Sequence, residues 1–302
     1  MKENLPEFLT KMLIEQYGEE LAEKIIDGYG VQRKVTFRVN TLKTTVEEVE
    51  TILIQNNIKY KKVDWYEDAF IVEEAREADL QKLDIYEQGK IYLQSLSSML
   101  PPIILEPKEG VDILDMAAAP GGKTTQMATM TSNKAHITAC EINKIRAERL
   151  KFNLDKQGAS SVYVMQKDAS KLEDFFSFDQ ILLDSPCSGS GTLNSNNENI
   201  EKFFNEKLIN NCSKIQYNLL KKAINILKPG SQMVYSTCSI LQKENEDIVN
   251  RVLKETKAKI VPIELNTKSG IELLPTKIDG TLCVRPNELY EGFFIAKIEK
   301  EK

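Results

Sequence analysis

The sequence predicts a doubly wound α/β domain preceded by a small α+β module, and three observations carry the prediction. From about Gly89 onward, short runs rich in Val, Ile and Leu alternate with longer amphipathic stretches. That alternation builds a parallel sheet with helices on both faces, and strands covered on both faces read as near-continuous apolar runs. Ahead of Gly89 the order is two helices, then strand, helix, strand, strand, which suits a small α+β unit. A length of 302 residues fits one large domain or two unequal ones, and the division expected is 1–88 and 89–302.

Each element has a local reason. Pro6–Tyr17 and Glu19–Tyr29 carry apolar residues at helical spacing. RKVTFRVNTLK (33–43) alternates as a strand does, and TVEEVETILIQNN reads as a helix with Thr45 as N-cap ahead of Glu48. KYKKVDW and AFIVEE are two short strands. In the second part, VDILDMAA is a strand ending in a turn of small residues, followed by the helix KTTQMATM. AHITACEI is the next strand, and KIRAERLKFNLDKQG a helix closed by glycine. SSVYVMQKDA and FDQILLDSPC are strands, and a long helix runs from EKLIN to AINILK. SQMVYSTCS is a further strand, KENEDIVNRVLKE a helix, and TLCVRP and EGFFIAKIEK closing strands.

Composition excludes several classes of function. The chain is 41% hydrophobic and 28% charged, as expected of a globular protein with a sizeable core. No run approaches the roughly 18 apolar residues needed to span a bilayer, and MKENLPEFLTKML lacks a signal-peptide apolar region. A cytoplasmic monomer without membrane contact is expected. Five cysteines, with wide gaps and no C-x-x-C, argue against a disulfide framework and against structural zinc, so no metal is expected. His136, the single histidine, falls in the apolar run AHITAC and reads as a core or strand-edge residue. Ser-His-Asp and Cys-His machinery is left without material. Net charge is −5, with the acid concentrated in the first 88 residues, so global charge does not point to nucleic acid.

The turn AAAPGGKTT invites a phosphate-loop reading that fails on spacing, because Ala117 stands where a glycine is needed six residues before Lys123. The G-x-G-x-x-G fingerprint is absent too. What remains is a tight turn at the carboxyl end of a strand, where backbone can approach a ligand. Acids recur at the ends of the next strands: Glu141, Asp168 and Asp184. Glu141 is placed to accept from both ribose hydroxyls of a nucleoside, and Asp168 from an adenine amino group. Carboxylates suit a ligand with a positive sulfonium and ammonium better than a pyrophosphate, which points to S-adenosylmethionine. Two cysteines, Cys187 in DSPCSGSGT and Cys238 in YSTCS, sit among Ser, Thr, Gly and Pro at the ends of strands converging on that crevice. Cys140, Cys212 and Cys283 read as buried fillers.

Together, DILDMAAAPGGKTTQMA, ACEINKIRAERL, KDA, DQILLDSPCSGSGT, VYSTCSI with KENED behind it, and GFFIAKI resemble the Nol–Nop–Sun family of RNA cytosine-C5 methyltransferases. RVNTLK and QSLSSMLP match segments typical of the same family, so the resemblance spans nearly the whole chain. It implies a Rossmann-like methyltransferase sheet behind an RNA-recognition-like module. Cytosine C5 does not attack a methyl group unaided; a thiolate adding to C6 makes it a nucleophile, with Asp184 acting at N3 and a second thiol assisting release. Chemistry alone does not order the two thiols. The resemblance implies that Cys238 attacks and Cys187 assists release. It also implies cofactor contacts from Ala117, Ala118, Ala119, Pro120, Gly121, Gly122 and Lys123, and from Glu141, Arg146, Asp168 and Asp184. The chain departs from the family at Ala117, where cysteine is common, and at NSNNENIEKF, where an Arg-Arg-x-Pro stretch is usual.

In the amino-terminal module, Arg33, Lys34, Arg38 and Lys43 lie near one strand and Lys59, Lys61 and Lys62 near another, a possible basic edge on an acidic body. Tyr60, Trp65, Tyr66 and Phe70 are stacking candidates. Arg38 and Asn40 are assigned to the substrate side on the match of RVNTLK to the family. The expected partner is RNA, tRNA ahead of rRNA. A non-catalytic RNA-binding or ribosome-assembly factor of the same fold is the competing reading, disfavoured by the presence of both Cys187 and Cys238.

Overall fold

The computed structural model describes residues 4–265 and 270–302. Helical spacing at the start of the chain gives α1 (Glu7–Tyr17), which buries Leu9, Leu13 and Tyr17, and α2 (Glu19–Gly30), which buries Ile25, Ile26 and Tyr29. Those side chains enter one core with Leu114, Phe204 and Tyr235, so the two opening helices pack as part of the large domain.

The small module is β1 (Val35–Val39), α3 (Val46–Gln55), β2 (Tyr60–Val63), β3 (Tyr66–Val72), the single turns α4 (Glu77–Leu80) and α5 (Asp84–Glu87), and β4 (Ile91–Leu93). Thr45 caps α3 by accepting from the backbone N–H of Glu48. The sheet is antiparallel in the order β2-β3-β1-β4. β4 lies beyond the expected boundary at 88, pairing Val39 with Ile91 and Phe37 with Leu93. Its three residues are too few to alternate visibly. Along β1, Phe37 and Val39 join Val49, Leu53 and Phe70 in the module's own core, while Thr36 and Arg38 face the other way and are also buried.

The large domain continues through α6 (Leu96–Leu105), β5 (Asp112–Asp115), α7 (Gly122–Met130), β6 (His136–Cys140), α8 (Lys144–Gln157), β7 (Val162–Met165) and β8 (Phe178–Asp184). It closes with α9 (Ile200–Phe203), α10 (Glu206–Ile226), β9 (Leu227–Thr237), α11 (Glu246–Glu255), β10 (Ala258–Val261), β11 (Leu273–Leu274), β12 (Leu282–Val284) and β13 (Phe293–Lys300). Pro101 and Pro102 hide α6 in the sequence. They remove two helical N–H donors, and the Gln94 side chain donates instead to the carbonyl of Ser98 at 3.1 Å.

Nine strands form the main sheet, in the order β11-β12-β13-β9-β8-β5-β6-β7 with β10 on β13. Five run parallel, from β7 to β9, and β10 to β13 are antiparallel. The doubly wound parallel sheet expected from the sequence thus carries an antiparallel carboxyl-terminal edge. Only residues 285–292 join β12 to β13, too short a link for a parallel crossover. Winding reverses between β5 and β8, which opens a crevice at their carboxyl ends. Among the described residues no helix is long and apolar enough to cross a membrane.

Candidate active site

After β5 the chain turns through Met116–Gly121 and enters α7 with Gly121 at φ +110°, a left-handed conformation that suits glycine. A side chain at Gly122 would meet the Tyr92 ring at 3.3 Å. Beneath the turn Asp115 is fully buried; its Oδ2 accepts from Thr124 at 2.7 Å, and among the described residues its Oδ1 has no hydrogen-bond donor. Burial pushes this carboxyl up to about 6, with the Thr124 hydrogen bond opposing. Arg146 braces the turn from α8: Nη2 donates to the Ala119 carbonyl at 2.8 Å, and Nη1 lies 3.4 Å from Glu141 Oε2. Asn153 donates to the Pro120 carbonyl at 2.7 Å.

At the winding reversal lies a cavity of about 430 Å³ lined by Ala117, Glu141, Arg146 and Asp168 on one side and Pro186 and Leu219 on the other. Glu141 is buried, accepting from the Asn143 N–H at 2.8 Å. Asp168 accepts from the backbone N–H and the hydroxyl of Ser170 at 3.0 and 2.7 Å. Four of the expected cofactor residues therefore meet here. A second cavity, about 440 Å³, lies on the other side of the turn and shares Ala117 with the first. Ala118, Ala119, Pro120, Gly122 and Lys123 line it, together with Asp184 and Cys238. Asp184 thus stands with the thiol and not in the cavity of Glu141 and Asp168. Lys123 Nζ is 2.7 Å from Asp184 Oδ2 and 2.7 Å from Ser98 Oγ, over the Phe293 ring at 5.4 Å. Ser236 donates to Asp184 Oδ1 at 2.8 Å.

β8 and β9 are parallel neighbours in a register that pairs Asp184 with Ser236, so the loops that leave them run side by side. The sulfurs of Cys187 and Cys238 consequently lie 3.1 Å apart. Contact with Cys238, then burial, raises the Cys187 thiol well above its ordinary range. One fully buried acid ties the loops together. Glu244 accepts from the Ser188 N–H at 2.7 Å, from the Ser188 hydroxyl at 2.5 Å and from the Ser239 hydroxyl at 2.7 Å. Asn245 adds bonds to Thr237 at 2.6 Å and to the Ser239 carbonyl at 2.9 Å. Tyr17, from α1, donates to the Ile240 carbonyl at 2.6 Å. Asp115, Glu244 and Asn245 were not singled out from the sequence. Asp115 could have been found as the strand-end acid of DILD, and the other two as the middle of KENED.

A family described as the 16S rRNA methyltransferase RsmB/F matches residues 102–299, and a ferredoxin-like domain of the same proteins matches residues 5–79. The chain belongs to the RsmB/F methyltransferase family. It is 32% identical to the tRNA (cytosine(49)-C(5))-methyltransferase of Pyrococcus abyssi, covering 97% of each chain. It is 37% identical to the ribosomal RNA small subunit methyltransferase F of Shewanella loihica over 88% of its own length, and spans 56% of that longer relative. Among solved structures, NSun6 from Pyrococcus horikoshii with SFG superposes over the full length of both chains, with a TM-score of 0.88 at 25% identity.

In this RsmB/F chain two expected substrate residues lie elsewhere. Arg38 is fully buried between the domains, donating to Gln94 at 2.9 Å, Thr125 at 2.6 Å and the Gly122 carbonyl at 3.1 Å. Asn40, also fully buried, donates to the carbonyls of Gly89 and Gln157 at 2.8 and 2.7 Å. Neither has surface to offer a substrate; both join the module to α7 and α8. The expected basic edge dissolves as well, since Lys59, Lys61 and Lys62 pair with Glu74, Glu73 and Glu50. Of the aromatic candidates, Tyr66 and Phe70 are buried and Trp65 donates to the Tyr290 hydroxyl at 3.1 Å. His136 is exposed at the start of β6, and Cys140, Cys212 and Cys283 are buried.

Proposed function

We propose that this chain is an S-adenosylmethionine-dependent RNA (cytosine-C5)-methyltransferase acting on tRNA. The observation that carries the reading is the pair of free thiols 3.1 Å apart, with Cys238 opening onto a cavity that it shares with Asp184 and Lys123. The Pyrococcus abyssi relative that matches this chain over its whole length is named as a tRNA enzyme, and this favours tRNA.

The acceptor set fits the cofactor: two carboxylates, Glu141 and Asp168, line one cavity, and the buried Asp115 carries an oxygen beneath the turn with no hydrogen-bond donor among the described residues. Glu141 would hold the ribose hydroxyls, Asp168 the adenine amino group, and the Ala117–Lys123 turn the remainder. When bound, S-adenosylmethionine supplies an electrophilic methyl carbon for C5. The Cys238 thiolate adds to C6, and the C5=C6 electron pair shifts to make C5 nucleophilic. The Asp184–Lys123 pair supplies the proton that hydrogen-bonds the base at N3 as negative charge grows there. Once C5 carries the methyl group its proton leaves to solvent water, the C5–H electron pair reforms the C5=C6 bond, and the C6–S bond breaks to return the thiolate to Cys238. Cys187, beside that sulfur, assists the release.

Incubation with labelled S-adenosylmethionine and unmodified tRNA or rRNA, followed by nucleoside analysis, tests the reading. The expected product is 5-methylcytosine in tRNA. Label in rRNA alone overturns the substrate, and binding of cofactor and RNA without transfer favours a binding factor.

A further inference from the structure

Beside the thiol cavity lies another hollow of about 440 Å³, and Glu77, Tyr92, Leu93 and Pro120 line both. A continuous groove therefore leads from Cys238 over β4, at the edge of the small module, to the outer face of α8. Tyr92 stands where the two hollows join. Its ring is held by the buried Arg38 guanidinium at 5.0 Å and by the close backbone of Gly122. On α8, Arg149, Phe152, Asn153 and Lys156 share one helical face and line the second hollow. Phe152 is 65% exposed, so its ring face is open to a stacking partner. Among the described residues Arg149 is exposed and makes no ion pair. α8 as a whole is basic, with Lys144, Arg146, Arg149, Lys151 and Lys156 against Glu148 and Asp155. This contrasts with the small module, whose lysines at 59, 61 and 62 are matched by acids.

We propose that this groove holds the single-stranded RNA next to the target cytosine, with a neighbouring base stacked on Phe152 and backbone phosphates held by Arg149 and Lys156. The inference rests on the function proposed above and names the strand path for the same site. A base that enters the Cys238 cavity must bring its neighbours across the rim, and the rim here is Tyr92 and Pro120. An exposed aromatic ring between cations is the arrangement that binds single strands without reading their sequence. Glu77, on the opposite wall, is the acid that the backbone must pass.

The test measures methylation of a short single-stranded RNA with one cytosine, together with its binding by fluorescence anisotropy. The full chain is compared with Phe152→Ala, Arg149→Glu, Arg149→Lys and the control Lys59→Glu. Phe152→Ala and Arg149→Glu should each raise the RNA KM about tenfold, leaving kcat, the S-adenosylmethionine KM and the melting temperature unchanged. Arg149→Lys should restore most of the loss, and Arg149→Glu should flatten the salt dependence of RNA binding. Lys59→Glu should change nothing. A 4-thiouridine beside the target cytosine should crosslink to the peptide containing Phe152. If the wild type methylates RNA while the α8 variants keep its KM, the groove proposal falls and the function stands. Crosslinking to the small module away from Glu77 and β4, or to duplex RNA only, also overturns it. A wild type that methylates no RNA overturns both.

Discussion

The loops that carry Cys187 and Cys238 begin as near equals and end as opposites. Both leave adjacent parallel strands, both set their cysteine among Ser and Thr, and both are anchored on Glu244. Yet Cys238 lines the cavity with Asp184 and Lys123, whereas Cys187 is outside that lining, with its pKa raised by its neighbour and by burial. Access and not loop chemistry distinguishes the proposed nucleophile from its proposed helper. That distinction comes from which side of a shared seam each sulfur faces, a property of the sheet that neither motif contains.

The largest way to break the comparison is to remove one thiol at a time. Cys238→Ala should lower methyl transfer by on the order of 10³-fold or more and form no covalent RNA adduct. Cys187→Ala should keep the attack but stall release, leaving a slow-migrating protein–RNA band on a denaturing gel. A band from Cys238→Ala and none from Cys187→Ala would reverse the assignment. Next in size is the shared anchor. Glu244→Ala strands the Ser188 and Ser239 donors at once and should cost about 2–4 kcal/mol of stability, read by denaturant unfolding, with both cysteines becoming more reactive. The smallest effect sharpens the pH behaviour. Because Cys238 contact is the main cause of the raised Cys187 thiol, Cys238→Ala should lower that pKa. Alkylation of Cys187 by iodoacetamide should then begin at lower pH than in the wild type, and an unchanged profile would assign the shift to burial alone.

The parallel half of the sheet and both thiol loops were legible, because strand-end chemistry stays local to its motif. The strands from Asp112 to Asp184 fall where the apolar runs are, and Thr45 caps α3 as its sequence implies. Arg38 and Asn40 were assigned to the substrate side on the match of RVNTLK to the family, and the structure buries both, because the second domain covers the face of β1 that carries Arg38. Glu244 was passed over because an acid at the start of an amphipathic helix ordinarily faces water. Here it is buried by donors that come from another strand's loop, a partnership 56 residues apart in the chain. The antiparallel edge and β4 depend on connection length and pairing, which no single segment carries.

The opening helix places a demand on the order of synthesis. Tyr17 and the Ile240 carbonyl that accepts its hydroxyl are 223 positions apart. At roughly 5–20 residues per second, a ribosome takes about 10–45 s to cover that interval. Until it is covered, Leu9, Leu13 and Tyr17 lack the later-made members of their own cluster, Phe204, Tyr235 and Ile240 among them. The small module, whose core draws only on residues 37 to 91, is finished meanwhile. Birth order and burial order therefore run opposite ways: an apolar face translated early is among the last enclosed, and a nascent-chain chaperone would find it waiting.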